Sequence, residues 1–340
     1  MGIVVQALFS VLGQFHRIAV AVFLGLVLTA VLRPVADLFA RFVPRLLAVA
    51  GAVIGGIVLV LGVLALVGEI VADQRAGLQR EFVAGIDRIE RRLEDPPFRL
   101  PANVFDDLQS RIGKLLSSHR STLISEAVSG ASRLLEVLTV LALALFCAVF
   151  FTHSGDRQWQ WLCDQLPPAA RQRSTVAGQA AWRTFTGYTR GILLVAGTNA
   201  ILVGIALSIL GVPLAMPLAL LEFVAAFVPL IGSPIALAVA AVVALATKGP
   251  LIALLVVALI VIIGQIEGHV LHPVVMSWAV RLHPVVVALA VVGGAVAAGV
   301  IGAVVAVPLV AVLWSVCQTL RGRSGDAAGR EVVRAEGGGF

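Results

Sequence analysis

Charge is scarce in this chain. Asp, Glu, Lys and Arg make up 13% of its 340 residues, while apolar types make up 59%. A soluble domain carries about a quarter charged residues, so a water-exposed globular surface is excluded and an integral membrane protein is implied. Cysteine is scarce too. Cys147, Cys163 and Cys317 lie far apart, which excludes a disulfide framework and the paired spacing of a zinc site. There is no phosphate-binding loop, nucleophile elbow or HExxH pattern, so nothing on this chain supplies ATP hydrolysis or zinc-protease chemistry. The formal charge of +6 does not signal nucleic acid, because the basic residues sit in short segments beside apolar runs, where they set topology. A basic region followed by a small-residue cleavage site is also missing at the start. The apolar stretch Ile3–Leu12 is about half the length needed to span and reads as an interfacial helix.

What the chain does have is apolar runs of membrane length, punctuated by arginine. Ile18–Leu32 reads as a first span and Leu46–Val71 as a second, with Arg33, Arg41 and Arg45 against Asp37 in the loop between them. That excess predicts a cytoplasmic loop. Residues 73–133 are polar and nearly balanced in sign. Leu78, Phe82, Ile86, Ile89 and Leu93 recur at helical steps, as do Val104, Leu108, Ile112 and Leu115, and Pro96, Pro97 and Pro101 separate the two series. The pattern predicts an amphipathic helical hairpin outside the bilayer. Leu134–Phe151 returns across the membrane. Residues 153–190 form an arginine-rich cytoplasmic linker, with Trp159, Trp161 and Trp182 at the interface. Ile192–Leu210 and Leu251–Leu271 span again, and the tail 321–340 reads as disordered and cytoplasmic.

Two further apolar runs are interrupted. Leu214–Thr247 contains Pro229 and Pro234 with Gly232 between them, and two prolines at that spacing cannot both sit inside a regular helix. Val285–Val316 contains Gly293, Gly294, Gly299, Gly302 and Pro308. Backbone freed from a helix at membrane depth survives only against protein or water, and paired discontinuous segments point to a transporter's binding site. Whether each run crosses once or folds back is open at this stage. Leu271-His272-Pro273-Val274-Val275 is echoed by Leu282-His283-Pro284-Val285-Val286, and each proline suits the first turn of a helix.

The candidate chemistry is sparse. Glu222 lies seven residues before Pro229 in an apolar segment, where a carboxyl can carry a proton or cation, or serve as a neutral hydrogen-bonded core residue. Gln265 and Glu267 close the Leu251–Leu271 span and read as pathway groups or as headgroup-level polar residues. Glu69 and Asp73 share one face and read as interfacial. Thr198 and Asn199 read as partners for a neighbouring helix. His269, His272 and His283 lack a metal-site pattern and flank helix starts, so neither metal nor other cofactor is expected.

From Phe150 to Trp314 the chain resembles the autoinducer-2 exporter family of bacterial permeases. The resemblance rests on Phe150-Phe151, Leu166-Pro167 before Arg171, Gly187-Tyr188-Thr189-Arg190-Gly191 and Leu210-Gly211-Val212-Pro213. It continues through Val228-Pro229-Leu230-Ile231-Gly232-Ser233-Pro234, Gln265-x-Glu267, Leu271-x-Pro273 with Met276, Leu282-His283-Pro284, Gly293-Gly294, Gly299, Gly302 and Pro308-Leu309. Ala225 and Ala226 stand where that family often has a polar residue, and Leu230 where it often has an aromatic. The resemblance implies export of a small furanone-type signal across the bacterial inner membrane. It also implies sodium–proton exchange as an alternative.

The resulting expectation is an all-α polytopic membrane protein with seven or eight apolar segments, two of them discontinuous, plus the extramembrane hairpin. The expected activity is secondary transport of a small polar solute, coupled to proton or sodium. A cation–proton antiporter and a non-transporting scaffold are the alternatives. The pathway residues would be Glu222, Pro229, Gly232, Pro234, Gln265, Glu267, Gly293 and Gly294. The expected partners are the solute, the bilayer and further copies of the chain in a homo-oligomer, and not nucleic acid. Charge asymmetry puts residue 109 outside and residue 158 inside. Cysteine substituted for Gln109 should therefore be labelled by an impermeant maleimide in intact cells, and cysteine at Gln158 spared. The opposite pattern inverts this topology.

Overall fold

The computed structural model describes residues 2–94, 135–229, 231–266 and 282–336, with side chains over 17–73, 135–168, 170–229, 231–266 and 282–321. Every regular element among the described residues is a helix: α1 Gly2–Phe39, α2 Arg45–Glu94, α3 Leu135–Asp164, α4 Pro168–Ile209, α5 Ala215–Ala225, α6 Gly232–Lys248, α7 Pro250–Ile266 and α8 Pro284–Glu336. Five stretches are long and apolar enough to cross a membrane: Arg17–Phe39, Arg45–Asp73, Leu135–Asp164, Ala170–Ile209 and Pro284–Arg321. The helices α5, α6 and α7 are apolar but shorter.

Several boundaries differ from the sequence expectation. Ile3–Leu12 is continuous with the first span in α1, because no proline separates them. Helix α1 also runs through Pro34, so the loop between the first two spans shrinks to residues 40–44. Helix α2 passes the expected boundary at 72/73 without a break and carries the first half of the amphipathic series; the residues between Glu94 and Leu135 lie outside the described part. The linker expected at 153–190 is helical except for a turn at 165–167, where Pro167 and Pro168 end one helix and start the next. Trp159 of α3 lies against Gly178 of α4, so this region is a packed helical hairpin, and Arg171 pairs with Asp164 at 3.5 Å beside its turn. Helix α8 continues past Arg321 to Glu336, over residues drawn from composition as disordered. No proline follows Pro308 to stop it.

Helices α1 and α3 run parallel. Arg17 pairs with Glu136 at 2.8 Å, Gly25 lies against Ala144 and Cys147, and Arg33 pairs with Asp156 at 2.5 Å. The last pair brings the arginine-rich segments around 33–45 and 153–190 to one end of the bundle. Leu32, Ala36, Val49, Ala52 and Val53 bury the junction of α1 with α2 nearby.

Both interrupted runs fold back on themselves. At the first break, Gly232 at the start of α6 lies against the carbonyl of Ala225 at the end of α5. Lys248 at the far end of α6 reaches Gly211 just before α5. The two legs are therefore antiparallel about Val228-Pro229. In α8 the backbone leaves helical geometry at Ala298 (φ −147°, ψ 28°) and Gly299 (φ 61°, ψ −148°). Gly294 and Gly302 would be about 12 Å apart on a straight helix. Instead their backbones touch, and a Cβ on Gly294 would come within 2.8 Å of the Ala306 Cβ.

Contacts with α4 orient these hairpins. Gly204 meets Ala219, so the α5 leg runs against α4. Thr184 Oγ1 donates to Ser315 Oγ at 2.8 Å, and Tyr188 packs against the cluster of Val291, Ala303 and Val307. The second leg of α8 thus also runs against α4, and its first leg runs along it. The two hairpins enter from opposite ends of α4.

Adjacent glycines in the second hairpin should respond differently. Gly294→Ala forces a Cβ into the facing backbone, an overpacking cost of about 1–3 kcal/mol. A Cβ on Gly293 meets nothing within 4 Å, so Gly293→Ala should be neutral or stabilise by up to about 1 kcal/mol. Thermal melts of the purified variants check the contrast.

Candidate functional site

Pro229 explains where α5 ends. Proline lacks an N–H for an i→i−4 bond, so the chain tightens beforehand. Phe227 N–H donates to Val224 O at 3.3 Å and Val228 N–H to Ala225 O at 2.8 Å. Gly232 N–H then donates to Val228 O at 3.0 Å as α6 begins. Pro234 is the third residue of α6, in the first turn, where a missing N–H leaves no helix bond unmade. Pro229 is half-buried in the break and Pro234 is exposed, so the two prolines that flag this site have different surroundings.

Glu222 lies in the last turn of α5 and is 1% exposed. It alone among the charged side chains of the described residues is buried. Because α5 stops at Ala225, a helical face linking Glu222 to Pro229 does not extend across the break. What sets its level is α4. With Gly204 against Ala219, Asn199 stands five residues back along α4 and Glu222 three residues on along α5, within about 3 Å in height at 1.5 Å per residue. Asn199 is also buried, at 1% exposure. Phe223 and Phe227 pack edge to face at 5.5 Å on the same segment.

The break of the first hairpin reaches the second. Val228 packs against the cluster formed by Val291 on one leg of α8 and Ala303 and Val307 on the other, where Tyr188 of α4 also packs. The structure therefore brings Pro229, Gly232 and the α8 hairpin that carries Gly294 into one neighbourhood, with Glu222 one turn away on α5. Gln265 is exposed in the last turn of α7, and Glu267 lies outside the described residues. Gly293 faces open space beside Gly294. Three residues outside the expected pathway set also lie here: Gly302, one of the interrupting glycines, is the backbone partner of Gly294; Asn199, expected to bond a neighbouring helix, is buried level with Glu222; and Tyr188 is the chain's single tyrosine. His283 accepts from the Val285 N–H at 3.3 Å and so caps the start of α8, while His269 and His272 lie outside the described residues. Among the described residues, no three His, Cys, Asp or Glu side chains gather as a metal site would require.

The site thus gathers a buried carboxyl, a buried amide and a helix break packed on the legs of the second hairpin. The profile of the AI-2E family transporter matches residues 1–322. The chain belongs to that family. Among its relatives, "Putative transport protein MT0215" of Mycobacterium tuberculosis (strain CDC 1551 / Oshkosh) is 39% identical over 320 residues, covering 93% of this chain and 86% of the relative. "Putative transport protein YueF" of Bacillus subtilis (strain 168) is 25% identical over 295 residues, covering 84% and 80%. "Putative transport protein YrrI" of the same organism is 28% identical over 211 residues, covering 61% and 60%. The protein is thus a multi-pass membrane transporter of the AI-2E family.

Gly232 has a packing role whatever solute passes. Any side chain there meets the Ala225 carbonyl, which is backbone and cannot swing away. Gly232→Ala should destabilise by about 1–3 kcal/mol and Gly232→Leu should lose folded protein. Pro234→Ala should melt within about 0.5 kcal/mol of wild type, as exposed substitutions usually do. Yield and thermal midpoint after size exclusion check all three.

Proposed function

We propose that this AI-2E family member is a secondary transporter that exports a small polar solute through the meeting point of the two hairpins. The observation that carries the reading is Val228, at the break between α5 and α6, packed against the cluster that the two legs of α8 form together. A helix break packed on the legs of a second broken helix supports this reading, because backbone N–H and C=O groups at such sites can replace a solute's water once a hairpin shifts, which apolar side chains cannot do. Glu222 is the coupling group in this reading, binding a proton or a cation beside the C-terminal carbonyls of α5.

Distances along the helices support a membrane frame for this site. Arg17–Glu136 and Arg33–Asp156 are 16 residues apart on α1 and 20 on α3. At 1.5 Å per residue that is about 24–30 Å, close to the ~30 Å hydrocarbon thickness. The two ion pairs then mark the two interfaces of a bacterial inner membrane. The arginine-rich end faces the cytoplasm, and so does the C-terminus. The α5–α6 and α8 hairpins are the discontinuous segments of this reading, entering from opposite sides. The working form is a homo-oligomer, since the broken segments need protein or water around them.

A second reading, cation–proton antiport, is favoured by the same buried Glu222. Both are tested in liposomes holding the purified protein, across neutral polyols, organic acids, amines, and sodium or lithium gradients. Solute flux that Glu222→Gln cuts by about tenfold or more, at unchanged thermal stability, supports the transport reading with a coupling carboxyl. Sodium- or lithium-driven proton flux with no organic substrate supports antiport. Wild-type flux in the Glu222→Gln variant moves the coupling role elsewhere, to Gln265 or Glu267.

A further inference from the structure

Pro34 sits inside α1, four residues after Ala30. It has no N–H to give the Ala30 carbonyl, and its ring pushes that carbonyl off the helix axis. Ala30 is wholly buried, at 0% exposure. A carbonyl left unanswered at such a position is costly, and a helix proline in a membrane is tolerated where a neighbour re-satisfies the freed group. The neighbour here comes from α4: Arg190 Nε donates to Ala30 O at 3.3 Å, across 160 residues of sequence. Two other arginines at this end of the bundle are engaged elsewhere. Arg33 holds Asp156 at 2.5 Å and Asp37 at 4.0 Å, and Arg45 Nη2 lies 3.5 Å from Thr152 O.

We propose that Arg190 is a positioning residue, and that the orphan carbonyl made by Pro34 exists to be clasped by it. The bond fixes the level of α4 against α1. Tyr188, two residues before Arg190, packs on the cluster where the hairpins meet, so the clasp sets how α4 presents that residue. Proline and arginine thus act as one device, although they stand on different helices and neither is a pathway residue. The clasp itself needs no solute; its link to flux rests on the transport reading above.

A double-mutant cycle on the full-length protein tests it. Arg190→Met removes the donor and should lower the thermal midpoint by about 2–4 °C for a chain of this size. Pro34→Ala returns an N–H to residue 34 for the Ala30 carbonyl. In that background Arg190→Met should cost less than half as much. Arg190→Lys keeps a donor and should recover part of both the midpoint and the flux that Arg190→Met loses. Equal losses in the two backgrounds, or no loss in either, overturn the clasp. If Pro34→Ala does not fold, the lysine variant decides, because lysine performing no better than methionine overturns it as well. A wild-type protein that moves no solute in liposomes would sink the transport reading and leave the thermal cycle intact as a test of the clasp.

Discussion

Hydrocarbon offers no hydrogen-bond partner, so wherever a helix is interrupted at membrane depth, something in the protein must stand against the freed backbone. Among the described residues, two breaks and one helix proline near the bundle's end free backbone groups, and each has its own answer. At Pro229 the chain tightens into short turns and the Ala225 carbonyl is covered by Gly232. At Ala298 and Gly299 the two legs close so tightly that Gly294 and Gly302 touch. At Pro34 the helix does not stop, and a guanidinium from α4 takes the carbonyl. Two of the answers demand residues without side chains and the third demands a long cationic one.

Small residues also set how the helices are ordered. Gly25 lets α1 lie on α3, Gly204 lets α5 lie on α4, and Gly178 takes the Trp159 indole. Lipid is as apolar as leucine, so close backbone approach and van der Waals packing drive association instead of apolar burial. The exposed apolar residues agree: Ile54, Val58, Leu59, Val60 and Leu61 line much of α2, where a soluble helix would be polar. The buried positions are filled largely by alanine, with Ala21, Ala30, Ala144, Ala148, Ala196 and Ala244 each fully enclosed.

Much of this was legible in the sequence, and the reasons for the rest are physical. Proline and glycine act locally, so the breaks at Pro229–Pro234 and Gly293–Gly302 could be read from residue type alone. Direction after a break depends on which distant backbone receives it, and local chemistry does not encode that; folding back became visible in Gly211 beside Lys248 and Gly294 beside Gly302. At 153–190 the sequence was read for its side of the membrane and not for its conformation. Arginine and glutamine are good helix formers, so a polar stretch between spans was free to remain helical until Pro167 and Pro168. Glu222 stood out in the sequence as a carboxyl in an apolar segment seven residues before Pro229, and the structure buries it in the last turn of α5. Asn199 and Tyr188 carried weak signals, a polar residue inside an apolar run and a lone tyrosine beside an arginine, and neither signal specifies a partner.

Leg length bears on how such hairpins could work. Helix α5 has 11 residues and α6 has 17, which at 1.5 Å per residue give about 16 Å and 25 Å. Neither reaches across a hydrocarbon layer of about 30 Å. A hairpin that enters with the 11-residue leg therefore turns near the middle of the layer, and its turn must meet protein or water there. The α8 hairpin, entering from the opposite end of α4, supplies the protein on one side through Val291, Ala303 and Val307. Its first leg, from Pro284 to the kink at Ala298, is of comparable length. On the transport reading, two half-length hairpins that overlap side by side at Val228 leave a thin partition between the aqueous faces. Full-length helices in the same positions would put a whole bilayer of apolar contact between those faces. A thin partition can be opened from either side by modest movement of one hairpin. This economy of motion is a physical reason for a transport fold to break its helices, despite the cost of covering every exposed carbonyl.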